Sequence, residues 1–126
     1  MKIVMRSIKS ILFSAMVLGA VVANAQKAKT VSLVQTPGEF DKTELKLKAG
    51  KAYVFEVENN GVDHEVGFVV APKGKTDQEN HVKEAYVKKA ISDGETSESN
   101  VVTLEAGEYV YFCPLNPTPL YTLIVE

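Results

Sequence analysis

Three side chains in this 126-residue sequence offer metal-binding chemistry in small supply: the single cysteine, Cys113, and the two histidines, His64 and His81. Thiolate sulfur is a soft donor and imidazole nitrogen a borderline one, a pairing that suits copper and other late transition metals rather than magnesium or calcium, which take oxygen. His64 closes the turn-rich run Asn59-Asn60-Gly61-Val62-Asp63-His64, and Cys113 lies in Tyr109-Val110-Tyr111-Phe112-Cys113-Pro114. A lone thiol has two explanations, burial as a small hydrophobe or ligation of a metal. No Ser-His-Asp order, phosphate-binding glycine loop or supported carboxylate pair accompanies these residues, so the sequence offers no hydrolytic machinery and no enzyme is expected.

The compartment sharpens the question of the thiol. Residues 1–25 have the three parts of a secretory signal in order: a cationic start with Lys2, Arg6 and Lys9, an apolar run over 11–22, and Ala23-Asn24-Ala25. That run is too short for a bilayer crossing, which needs ~20 apolar residues. Cleavage before Gln26 is expected, leaving a single domain over 26–126 that is periplasmic or secreted, without a membrane span. A lipid-anchored precursor needs a cysteine at the cleavage site, and Cys113 is the only one. Setting aside the three basic residues of the leader leaves 11 basic against 16 acidic residues, a net charge of −5. The sole arginine, Arg6, leaves with the leader, so the basic face of a nucleic-acid binder is not expected.

The elements that must position His64 and Cys113 follow from the apolar pattern, which from Lys29 onward has mostly period two, as in Val31 and Leu33 or Leu45 and Leu47. Strands are predicted over 30–35, 43–48, 52–59, 64–71, 99–104, 107–113 and 120–126. Pro37-Gly38, Ala49-Gly50-Lys51, Asn59-Asn60-Gly61, Pro72-Lys73-Gly74 and Glu105-Ala106-Gly107 separate them with turn-tolerant residues. This spacing suits an all-β Greek-key sandwich of seven to eight strands. One inserted helix is predicted over 76–91, where Val82, Ala85 or Tyr86, and Lys89 or Ala90 fall at helical intervals and Thr76 with Glu79 has capping-box spacing. The polar segment 95–100 is expected to be a mobile loop.

The order of an amphipathic strand, a strand ending in Asn59, His64 opening the next, and Ala106-Gly107-Glu108-Tyr109 leading to Cys113-Pro114 before a last strand resembles the cupredoxins. The resemblance runs over 31–126 and is most specific over 105–113. It implies a copper ion held by two histidines and a cysteine with a weak axial ligand, working in single-electron transfer. Carried over by position, His64 matches the first histidine and Cys113 the thiolate. Asn116 stands where the second histidine is commonly found, and no axial methionine exists, because Met1, Met5 and Met16 are all in the leader. Glu65 follows His64 where the family often has an asparagine tying the ligand loops together. His81 completes a two-histidine set by count, but the resemblance puts its segment along the side of the sandwich, as a solvent-facing helix residue. The expected reading is copper binding at an altered His/Cys site, without a type 1 centre, in electron transfer or copper handling with a redox or copper-trafficking partner. The alternative is a metal-free module that binds a partner through the proline-rich loop after Cys113, with Leu115, Leu120 and Tyr121 as its apolar contacts.

Overall fold

The computed structural model describes residues 27–126, so the expected leader lies outside the described residues. Nine short strands form two sheets: β1 (Lys29–Thr36), β2 (Glu39–Phe40), β3 (Glu44–Leu47), β4 (Ala52–Asn59), β5 (Val69–Pro72), β6 (Thr96–Glu98), β7 (Val102–Thr103), β8 (Gly107–Phe112) and β9 (Tyr121–Val125). One sheet runs β2-β1-β4-β6, with β7 also on β4, and the other β3-β9-β8-β5. The pairs β1/β4 and β3/β9 are parallel and the rest antiparallel. Among the described residues no helix is long and apolar enough to cross a membrane.

Alternation of side chains along each strand explains which residues fill the space between the sheets. β4 turns Tyr53, Phe55 and Val57 inward, β1 turns Leu33 inward, and β9 turns Leu123 and Val125 inward. They meet Phe40, Phe68 and Tyr111 in one core. Phe40 packs edge-on against Phe68, Tyr111 and Tyr121, the arrangement that ring quadrupoles favour. The inward phase continues past the apolar residues to Gln35 on β1 and Asn59 on β4, which are register partners and completely buried. Two buried amides thus sit side by side at one end of the sandwich, where the loops after β1, β4 and β8 converge.

The segment expected as a helix is not one. Residues 76–91 contain two single 3₁₀ turns, Gln78–Asn80 and Lys83–Ala85, each followed by a residue in extended conformation. No side chain caps either turn, so the capping-box reading of Thr76 and Glu79 fails. The backbone instead bonds to the sheets: Val82 N donates to Val70 O at 2.8 Å, Lys88 N to Glu98 O at 2.9 Å, and Ile91 exchanges bonds with Val66 at 2.9 and 3.0 Å. The segment is a strap along β5 and β6, and its apolar spacing marks where Ala85 and Ile91 dip into the core. The expected mobile loop over 95–100 is likewise corrected. It holds β6, paired to β4 from Glu56↔Glu98 to Glu58↔Thr96, because buried Ser99 satisfies the chain there by accepting from Phe55 N and donating to Asn100 O. The strand predicted over 64–71 begins only at Val69, with Val66 in an isolated bridge to Ile91.

Candidate metal centre

Cys113 follows directly on β8, and its thiol is free and buried. Its sulfur accepts two backbone hydrogen bonds, from Gly67 N at 3.3 Å and from Asn116 N at 3.1 Å. Its own N–H donates to Thr118 Oγ1 at 3.1 Å, closing the loop back on itself. Two backbone N–H groups from separate loops thus converge on one sulfur.

Asn59 holds the segment leading to His64. Its Oδ1 accepts from Val62 N at 2.9 Å, while its two amide hydrogens serve the carbonyls of Val62, His64 and Ile91 at 3.0 to 3.1 Å. His64 itself is exposed, with Nδ1 2.9 Å from the Glu65 carbonyl. A carbonyl only accepts, so Nδ1 carries the proton and the lone pair lies on Nε2. Three residues further on, Gly67 touches the Cys113 sulfur, so one continuous segment carries the exposed imidazole at one point and a hydrogen bond to the thiol at the other.

The other candidates are engaged elsewhere. Asn116 is buried: its Oδ1 accepts from Gly38 N at 3.0 Å, and its Nδ2 donates to Gln35 Oε1 at 3.2 Å and Thr36 O at 3.1 Å. His81 is not solvent-facing as expected but half-buried, its ring edge-on to Tyr86 and Phe112. Its Nε2 donates to Thr76 O at 2.9 Å, leaving Nδ1 to accept from the Tyr86 hydroxyl at 2.8 Å, so both nitrogens are used. Among the described residues no group of three or more His, Cys, Asp or Glu side chains is placed to hold a metal ion.

In the loop after Cys113, Leu115 and Leu120 are 53% and 56% exposed. Tyr121 belongs instead to the interior aromatic group, packed on Phe40 and Tyr111, with its hydroxyl accepting from Phe40 N at 3.3 Å. Beside Pro114 lie two hollows, of about 250 and 340 Å³, that share Val69 and Tyr86 as walls, and His81 lines the larger.

Sequence reasoning missed Gln35 and placed Asn59 only as the end of a strand before His64, not as the amide that holds the loop; both organise this end. The signal was present in the period-two pattern, where each is a polar residue in the inward phase of an otherwise apolar strand. Gln35 donates to Gly67 O at 2.6 Å and accepts from Asn116, so with Asn116 it makes the tie between loops that Glu65 does not supply.

The Cupredoxin-like domain family matches residues 9–125, and the chain belongs to that family. Among solved structures it is similar to auracyanin A, a blue copper protein of Chloroflexus aurantiacus, with a TM-score of 0.64 and 22% identity over 79% of this chain and 100% of that one. Auracyanin B gives a TM-score of 0.64 with 20% identity over 79% and 89% of the two chains. An azurin from Methylomonas sp. strain J gives 0.57 with 15% identity over 79% and 99%. No curated protein sequence matches. At these identities the likeness is one of fold.

Proposed function

We propose that this chain is an exported cupredoxin whose altered site binds Cu(I) through Cys113 and His64, in copper handling or electron transfer rather than catalysis. The observation that supports it most is the pair of backbone N–H groups on the Cys113 sulfur. The donor set does not fit a type 1 centre, because the position of the second equatorial histidine holds Asn116 with its amide turned to Gln35, Thr36 and Gly38. It does fit the low coordination that Cu(I) accepts from thiolate and imidazole. Bound copper supplies a one-electron couple. Cys113 supplies a sulfur already surrounded by donors, Asn59 holds the loop that presents His64, and His64 offers Nε2 at the surface.

Titrating the mature protein with Cu(I) against a chelator, without oxygen, tests the reading. One Cu(I) per chain is expected, lost in Cys113→Ala, weakened in His64→Ala and unchanged in His81→Ala, with no intense blue band on adding Cu(II). The exposure of Leu115 and Leu120 favours a second reading, a metal-free module that docks a partner through this loop. Absence of Cu(I) uptake by the wild-type chain selects it.

A further inference from the structure

We propose that Gln35 is the positioning residue of the Cys113 site, fixing the two backbone segments whose N–H groups meet the sulfur. The inference rests on the reading of Cys113 as a copper thiolate. Gln35 is completely buried at the end of β1, two residues after Leu33 and on the same inward face. Its Nε2 donates to the Gly67 carbonyl at 2.6 Å and its Oε1 accepts from Asn116 Nδ2 at 3.2 Å. Gly67 and Asn116 are also the two residues whose N–H groups point at Cys113 Sγ. Each therefore faces two ways, with one group on Gln35 and the N–H on the sulfur.

A leucine in this place, like Leu33 beside it, packs the core without any polar requirement. A buried amide is stable only where its partners are, since leaving either end unpaired carries the full desolvation penalty. The loop after β4 and the loop after β8 are thus held in one relative arrangement by a residue of a third element. The sulfur keeps the same surroundings whether or not a metal is present, because the fold and not the ion sets them.

Amide hydrogen exchange of the metal-free protein, read at Gly67 and Asn116 and compared with Leu123 in the core, separates this role from a general contribution to stability. Gln35→Met, which keeps the volume, is expected to speed exchange at Gly67 and Asn116 by about tenfold beyond any change at Leu123, the factor for losing roughly one hydrogen bond. Leu33→Val is expected to move all three amides alike. Cu(I) affinity is expected to fall by about tenfold in Gln35→Met and little in Leu33→Val. Gln35→Leu, which removes both polar groups and resembles Leu33 on the same face, is read the same way and serves should the methionine variant not fold. Exchange that rises equally at Leu123 and at the two loop amides would overturn the proposal. A wild-type protein that takes up no Cu(I) ends the copper reading, while the exchange comparison still decides the role of Gln35.

Discussion

Asn116 holds three hydrogen bonds at once, to Gly38 N, Gln35 Oε1 and Thr36 O, and a histidine at that position loses this geometry. Asn116→His is therefore expected to destabilise the protein by about 1–3 kcal/mol, the penalty for stranded buried polar groups, without creating a blue centre. Denaturant unfolding and the visible spectrum with Cu(II) check both parts, and a strong blue colour contradicts the placement of that amide. Asn59 makes a different prediction, because its amide hydrogens serve three carbonyls. Asn59→Asp sets a carboxylate against those carbonyls, whereas Asn59→Ala only removes the donors. Unfolding measurements should find Ala costing about 2–3 kcal/mol and Asp more. The reverse order is inconsistent with the amide orientation described for the loop that carries His64.

Among the elements, the strap over 76–91 shows how a helical spacing arises without a helix. Val82 and Ile91 are anchored by backbone bonds to Val70 and Val66, and the interval between anchors is set by the distance along the sheet edge. Amide exchange should be slow at Val82, Lys88 and Ile91 and fast at Lys83, Glu84 and Lys89, whereas uninterrupted protection along the segment is what a helix produces. The sandwich itself was legible because strands such as Ala52–Asn59 bury one face cleanly, so their alternation survives in the sequence. Cys113 and His64 stood out as scarce donor types next to turn residues. The strap and β6 were not legible, because their stability comes from hydrogen bonds to distant strands and local propensity points elsewhere. Asn116 was legible as a departure from the family pattern but not as a tie between loops, since that role depends on Gln35, 81 residues away.

For the molecule as a whole, the core places one ionisable group where its charged form is disfavoured. Burial first, then the neighbouring Tyr121, Asp41 and Glu44, push the Tyr111 hydroxyl well above its ordinary range, while it donates to Lys42 O at 2.6 Å. The unfolded chain ionises Tyr111 near its ordinary value of about 10, before the folded chain does, so the stability this group contributes is intact below that pH and is lost as pH climbs above it. Unfolding followed across alkaline pH should show a decline that is shallower in Tyr111→Phe, at the expense of about 1 kcal/mol at neutral pH. An equal decline in both proteins contradicts the buried placement. The copper reading joins one end of this sandwich to the work of the whole, and X-ray absorption at the copper edge of the Cu(I)-loaded protein tests it most directly. A first shell of one sulfur and one imidazole nitrogen is expected, with no copper retained by Cys113→Ala and the imidazole absent from the weakly bound copper of His64→Ala. A shell without sulfur, or one holding two imidazoles, would contradict it.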